Sequence, residues 1–158
     1  MTKVKINSIY KSKEISRVIK NILYNENGLL SKILNHKKNN KDKYIELIDK
    51  NMDKFLLPLS VLYDSQFIEK NHKTKTYYSR LNNKILNAPL GSDLTSAIIR
   101  FLIDYKFIKT DGVLIHGIKS YGYRFNKDWE SKIKSGEVSF TKETTELEVD
   151  EKNKHLFE

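Results

Sequence analysis

The chain contains no cysteine and only two prolines among its 158 residues. Without cysteine it can form no disulfide, no thiolate zinc site and no thiol nucleophile, and this absence suits a reducing compartment. No apolar run reaches the roughly 20 residues that a membrane-spanning helix needs, and residues 1–10 lack the apolar centre of a signal peptide. We therefore expect a cytoplasmic protein without a membrane partner.

Catalytic and metal-binding patterns are absent as well. The four histidines are scattered along the chain, and none belongs to an H-x-E or H-E-x-x-H motif. The chain has no glycine-rich phosphate loop and no G-x-S-x-G motif, and its carboxylates form no spaced cluster with a base. We predict no catalytic residue, no metal ligand and no cofactor, and we do not expect an enzyme.

Positive charge is concentrated near the start of the chain. Residues 1–43 carry eleven Lys and Arg against three Asp and Glu, whereas residues 137–158 carry three against seven. The formal net charge is +9, and a basic surface attracts polyanions by releasing their condensed counterions. Of the 29 basic residues 25 are Lys, a bias that AT-rich coding also produces. Charge alone leaves nucleic-acid binding and compositional bias equally open.

Helical periodicity dominates the N-terminal half. Between Ser12, a good N-cap, and a stop signal at 25–28, apolar residues recur at helical spacing and predict a first helix. A second short helix is predicted over 29–34. Further helical periodicity covers 44–67, where Pro58 either kinks one helix or begins another. The hydrophobic fraction of 39% is enough for one core and excludes wholesale disorder.

A helix-turn-helix pattern begins after residue 81. A short helical segment over 82–87 is followed by a turn that contains Pro and Gly, because Pro ends a helix and Gly tolerates a positive φ. Ser92 and Asp93 can cap the long helix that follows, which we predict to extend to Lys106. Two helices joined by a glycine-containing turn have the spacing of a helix-turn-helix.

A β-hairpin pattern follows this long helix. Strand-like pieces cover 107–109 and 113–116, on either side of Asp111-Gly112, and a third piece covers 121–125. The tip of the hairpin is predicted at 117–120. A hairpin directly after a helix-turn-helix is the plan of a winged helix, in which the second helix enters the major groove of DNA and the hairpin contacts phosphates.

These patterns predict a mainly α-helical fold with a small β-hairpin, in which a helical bundle is joined to a winged helix-turn-helix. The expected organisation is a basic helical region over 1–70, the winged helix-turn-helix over 76–130 and an acidic tail over 137–158.

The segment GIKSYGYRF at 117–125, after a helix that ends in DYKFI at 104–108, resembles a known class of proteins. Together with the rest of residues 78–125 it is similar to the winged-helix segments of replication-associated and regulatory proteins of plasmids and phages, particularly in Bacteroidota. This resemblance covers roughly a third of the chain. It implies DNA binding in the replication or transcription control of a mobile element.

The winged-helix arrangement predicts nucleic-acid contacts in three places. The N-terminal end and one arginine of the long helix would meet the major groove, the hairpin would hold the phosphate backbone, and the basic first helix would extend the footprint. The residues are Thr95, Ser96 and Arg100 on the long helix, Lys119, Ser120, Tyr121 and Arg124 on the hairpin, and Lys11, Lys13, Arg17 and Lys20 in the first helix.

The polar face of the long helix also favours a different partner. On a helical wheel Asp93 and Asp104 share that face with Arg100, and carboxylates repel phosphate. Ile99 and Ile103 lie beside them and suit a protein contact. The alternative is therefore a phage-type interaction or inhibitor protein that contacts a host, virion or nucleoprotein partner. RNA binding through the basic helices is a third, weaker hypothesis.

The two ends of the chain carry weaker signals. Residues 1–10 alternate as a short strand or a loose arm would. Residues 137–158 are acidic and poor in apolar residues, apart from a Val-Ser-Phe-Thr piece that suits an edge strand, and we expect most of this tail to be mobile. Its carboxylates, among them Glu146 and Glu148, would either keep the tail solvated or compete with nucleic acid for the basic N-terminal region.

Overall fold

The computed structural model describes residues 2–26, 29–34, 41–68, 90–115, 118–149 and 151–157. Over these residues the chain is mainly helical and contains two small antiparallel sheets of two strands each. The helices are α1 (Lys13–Asn25), α2 (Leu29–Leu34), α3 (Lys41–Tyr63), α4 (Ser92–Asp104) and α5 (Lys127–Lys134). The strands are β1 (Thr2–Lys11), β2 (Ile108–Ile115), β3 (Ile118–Phe125) and β4 (Thr141–Val149). A π-helical turn (Asp64–Ile68) extends α3, and a 3-10 helix (Glu151–Phe157) follows β4. None of the described helices is both long and apolar enough to cross a membrane.

α1 forms where the apolar periodicity predicted a helix. The Ser12 side chain accepts a hydrogen bond from the backbone N–H of Ile15 at 3.3 Å, which satisfies one of the open donors at the helix start. Ile15, Ile19 and Leu23 are fully buried on one face of the helix. The helix ends at Asn25, within the predicted stop signal.

α3 is one helix of 23 residues with Pro58 inside it, so Pro58 does not begin a second helix. The proline has no N–H, and the carbonyl one turn earlier loses its helical partner, at a cost of about 3 kcal/mol. Leu56, Leu57 and Leu59, which flank the proline, are all buried. Each buried leucine contributes about 1.5–3 kcal/mol, so the packing of this stretch outweighs the cost of the proline.

β1 and β4 pair the two ends of the described chain in one antiparallel ribbon. The prediction that most of the acidic tail is mobile is therefore wrong for Thr141–Val149, which forms a strand. The register pairs Lys3 with Glu148 and Lys5 with Glu146, and the exposed side chains of Lys3 and Glu148 place opposite charges next to each other across the ribbon. Val149 belongs to the other face and is fully buried, which anchors the end of the strand.

α4 begins and ends at residues other than those predicted. Its N-cap is Gly91, with a φ of +79°, rather than Ser92 or Asp93, and no side chain caps it. A positive φ costs glycine nothing, so Gly91 allows the sharp entry into the helix. The helix ends at Asp104, two residues before the predicted Lys106.

The strands of the hairpin are longer than predicted. β2 runs without a break through Asp111 and Gly112, where two separate pieces were expected. The register pairs Ile115 with Ile118, so the strands continue almost to the turn. The predicted tip at 117–120 is therefore wrong for Ile118 and the two residues after it, which belong to β3.

One half of the predicted winged helix lies outside the described residues. This half comprises the residues of the 76–130 region before the turn, including the expected first helix of the helix-turn-helix over 82–87. The described half is a helix followed at once by a two-stranded antiparallel hairpin.

One hydrophobic cluster holds α1, α3, α4 and the hairpin together. The ring of Phe55 on α3 lies 5.3 Å from the ring of Phe101 on α4. The side-chain oxygen of Gln66 accepts a hydrogen bond from the backbone N–H of Phe125 on β3 at 3.0 Å. Residues from the predicted 1–70 and 76–130 regions therefore share a core, and this core fixes which face of α4 stays exposed.

Candidate functional site

α4 buries one face and exposes the opposite one. Ile98, Phe101 and Leu102 are buried in the shared core. The exposed side chains are Ser92, Asp93, Ser96, Arg100 and Asp104. This is the polar face that the helical wheel predicted, and it follows from the 3.6-residue period of the helix.

An open groove of about 420 Å³ lies between this exposed face and β3. Ile99 and Ile103 of α4 and Tyr123 of β3 line it with apolar surface, and each of these three side chains is half-buried. Ser96 and Arg100 contribute polar atoms. The groove is thus the place where the long helix and the hairpin meet.

Arg100 forms an ion pair within α4. Its Nε atom lies 3.3 Å from Oδ1 of Asp104, one helical turn later, and the two side chains are 77% and 52% exposed. An exposed pair of this kind contributes about 0–1 kcal/mol, because water screens both charges. Arg100 is therefore held only weakly and can exchange its partner.

Thr95 does not fit its predicted role as a nucleic-acid contact. The residue is 3% exposed, and its hydroxyl donates a hydrogen bond to the carbonyl oxygen of Gly91 at 2.7 Å. The hydroxyl therefore secures the first turn of α4 instead of facing a partner. Ser96, the other hydroxyl predicted as a contact at this end of the helix, is exposed and therefore accessible to a partner.

Arg124 also departs from its predicted role on the phosphate backbone. Its guanidinium forms an ion pair with Glu130 of α5, and Lys134 lies 2.9 Å from the same carboxylate. Burial raises the pKa of the Glu130 carboxyl, but the hydrogen bonds and charges of Arg124 and Lys134 outweigh burial and leave that pKa below its ordinary value. Arg124 therefore joins the hairpin to α5.

The other three hairpin residues predicted as contacts lie in β3. The register places Lys119 opposite Leu114 and Ser120 opposite Val113, and Tyr121 follows them in the strand. Their side chains lie outside the described part of the structure, so their predicted contacts stay predictions.

The four basic residues assigned to the first helix divide into two groups. Lys11 is the last residue of β1 and forms an ion pair with Asp53 of α3. Lys20 lies in α1, 3.0 Å from Asp49 of α3. Lys13 and Arg17 are exposed on α1, so these two are the cations that the helix presents most openly.

Tyr105, the residue after α4, interacts electrostatically with a carboxylate that follows α1. Burial raises the pKa of the Tyr105 phenol, and the carboxylates of Glu26 and Asp104 raise it further. Glu26 directly follows α1, and Asp104 ends α4.

Comparison with known proteins returns no match: no family model, no curated protein and no solved structure matches the chain.

Two residues of interest were not among the predicted contacts. Tyr123 lines the groove opposite α4 and also packs against the hydrophobic cluster. Tyr24 is 47% exposed on α1. Helical spacing places Tyr24 on the same face as Arg17 and Lys20, and this spacing is the sequence signal that could have identified it.

Proposed function

We propose that the chain binds duplex DNA through the groove face, which we define as Ser96 and Arg100 of α4 together with Tyr123 of β3. The open groove between an exposed helix and a β-hairpin is the observation that carries the proposal. α4 has 13 residues and is about 20 Å long at 1.5 Å per residue. A helix of this length, exposed along one side, fits the roughly 12 Å wide major groove of B-DNA.

The distribution of charge around the groove face supports a polyanionic partner. The net charge of the chain is +9. Lys106, which follows α4, and Lys109 in β2 are both exposed. Lysines beside a helix that lies in the major groove contact phosphates without regard to sequence.

The carboxylates on α4 do not exclude this role. The exposed pair of Arg100 with Asp104 is weak, and a phosphate or a guanine edge can replace the carboxylate as the partner of a guanidinium. Asp93 lies at the start of the helix, two turns before Arg100 along the chain. In the proposed complex the C-terminal half of α4 supplies the guanidinium, and Ser96 supplies a hydroxyl.

The proposal includes a winged-helix architecture for residues 76–130 and a place in the replication or transcription control of a plasmid or phage. Both are supported by the resemblance of residues 78–125 to such proteins. The helix and hairpin order of the described half is compatible with that architecture. In this proposal the chain is a binding protein without catalytic residues.

A fluorescence-anisotropy titration with a labelled random-sequence duplex tests the proposal. The association constant is expected to fall steeply with added salt, because each phosphate contact contributes about 0.9 to the slope of log K against log salt concentration. Arg100→Glu is expected to weaken binding strongly. Lys152→Glu, in the 3-10 helix after β4, makes the same change in net charge away from the groove and is the matched control. Absence of duplex binding at low salt, or equal losses in the two variants, contradicts the proposal.

A protein partner is the second candidate, because the groove has an apolar floor. Ile99, Ile103 and Tyr123 line it together, and apolar surface of this kind contributes more to a protein contact than to a phosphate contact. In this case pull-down recovers a stable partner, Ile103→Asn releases it, and Arg100→Glu changes its affinity little. The two variants therefore separate the two candidates.

A further inference from the structure

α1 carries exposed cations and an exposed aromatic ring on one face. At 100° per residue, Lys13, Arg17, Lys20 and Tyr24 fall within about 60° of one another around the helix axis. Lys13 and Arg17 are exposed. Among the large hydrophobic side chains that the structure describes, Tyr24 is the exposed one, at 47%. We call these four residues the α1 stripe.

The α1 stripe has little opposing charge on its own helix. Glu14 is the one acidic residue of α1. Its carboxylate accepts hydrogen bonds from the Ser139 backbone N–H at 3.3 Å and from the Ser139 hydroxyl at 3.0 Å. The pKa of the Glu14 carboxyl is lowered by its own backbone N–H and then by Ser139. Glu14 is thus tied to the segment before β4, and it lies at the edge of the stripe, about 100° from Lys13 and about 60° from Arg17 around the helix axis.

The partner of Lys20 on α3 is weakly bound. Lys20 and Asp49 lie 3.0 Å apart, and their side chains are 43% and 56% exposed. Water screens such a pair, so a phosphate can take the place of Asp49 at little cost. All three cations of the stripe are therefore accessible to an anionic strand.

We propose that the α1 stripe binds single-stranded nucleic acid, with Lys13, Arg17 and Lys20 on successive phosphates and the Tyr24 ring stacked on a base. Proteins bind single strands through a row of cations that contacts the phosphates and through aromatic rings on which the bases stack. The ring distinguishes a single strand from a duplex, because a paired base inside a duplex offers no free face. Single-stranded DNA and RNA share this chemistry.

The α1 stripe shares no residue with the groove face, and the proposal does not rest on duplex binding. From Lys13 to Tyr24 the stripe extends about 16 Å along α1 at 1.5 Å per residue, which is long enough for a short run of nucleotides. The α1 stripe is tested with single strands and with variants of α1, whereas the groove face is tested with a duplex and with variants of α4. Each proposal can therefore fail without the other.

Titration of labelled oligothymidylate and oligouridylate into the full chain, beside a duplex of the same length, tests the α1 stripe. Tyr24→Ala is expected to weaken single-strand binding by roughly fivefold or more, the lower end of the contribution of one stacked base. The same substitution leaves duplex binding unchanged, and Tyr24→Phe restores single-strand affinity because it keeps the ring. A difference between the two oligonucleotides identifies which strand, DNA or RNA, the stripe prefers.

The salt dependence of binding tests the cations. Lys13→Gln with Arg17→Gln is expected to reduce the slope of log K against log salt for single strands by about 0.7 for each lost phosphate contact. Lys142→Gln with Lys152→Gln removes the same charge from β4 and the 3-10 helix and should leave the slope unchanged. The proposal is overturned if single strands do not bind at low salt, if Tyr24→Ala binds like the unmodified chain, or if Tyr24→Ala weakens duplex binding equally. Circular dichroism of each variant verifies that it is folded.

Discussion

Arg124 of β3 and Glu130 of α5 form an ion pair whose side chains are only 18% and 12% exposed. The pair joins the hairpin to the helix that follows it, and Trp129 of the same helix stacks on Phe107 with 5.4 Å between ring centroids. A basic residue that the sequence pattern favoured as a phosphate contact is therefore part of the support for the hairpin.

Glu130→Gln is expected to destabilise the fold in a pH-dependent way. The pKa of Glu130 in the folded chain lies below its ordinary value of 4.5, so the ionised carboxylate stabilises the fold above that pH. This stabilisation is lost as pH falls through the lowered pKa. Above pH 4.5 we expect a loss of about 1–3 kcal/mol, the effect of removing a hydrogen-bonded charge.

Urea denaturation of the two chains over a range of pH measures this difference. It should vanish in acid, because a protonated Glu130 resembles the glutamine that replaces it. Glu137→Gln, at an exposed position after α5, is the control. A difference that does not change with pH contradicts the prediction.

Lys106→Gly is expected to stabilise the chain. Lys106 has a φ of +62° at the end of α4, where its N–H bonds the carbonyl of Ile103 and the N–H of Phe107 bonds the carbonyl of Leu102. This is a Schellman motif, in which glycine is the preferred residue at the left-handed position. Relief of backbone strain, less the extra entropy of glycine in the unfolded chain, leaves a gain of about 0.5–1 kcal/mol.

Thermal or urea unfolding detects this gain. Lys106→Ala keeps the Cβ atom and hence the strain, so it should give no increase. Equal stability of the glycine and alanine variants would show that the strain is not the cause.

Glu148→Lys is expected to weaken the pairing of β1 with β4. The register places Lys3 directly opposite Glu148, and like charges at such positions cost about 0.2–1 kcal/mol. The loss should shrink in high salt. Lys3→Glu combined with Glu148→Lys restores opposite charges, so a double-mutant cycle at low and high salt measures the pair. Additive effects of the two single substitutions would exclude an interaction between them.

Phe55→Ala is expected to destabilise α3 and the hairpin region together. Phe55 is fully buried beside Phe101, and truncation of a buried phenylalanine costs about 3–5 kcal/mol. Trp129 is the only tryptophan in the chain and stacks on Phe107, far from Phe55 in sequence. Its fluorescence therefore reports on the hairpin region, while far-ultraviolet circular dichroism reports mainly on the helices.

The two signals should shift to lower temperature together because one cluster joins both regions. If Phe55→Ala does not fold, Phe55→Leu provides the same comparison with a smaller loss. A shift of the helical signal without the tryptophan signal would mean that the two regions unfold independently.

The elements that the sequence predicted best are those with a strong local pattern. α1 follows from Ser12 and the buried spacing of Ile15, Ile19 and Leu23, and the exposed face of α4 follows from its period. β4 was harder to predict, because its first four residues are all polar and exposed and only its last five alternate between inward and exposed positions. Its partner, β1, lies more than a hundred residues away along the chain, and no local pattern encodes such pairing.

The candidate site divides in the same manner. The sequence by itself determined that a polar helix face with Arg100 exists, because helix geometry alone groups those side chains. Only the tertiary structure decided that Arg124 bonds to Glu130, that Thr95 bonds to Gly91 and that Tyr123 lines the groove beside α4. These contacts depend on which elements the shared core brings together. The composition of the sequence and the spacing of its residues do not determine which side chains become neighbours in the folded chain.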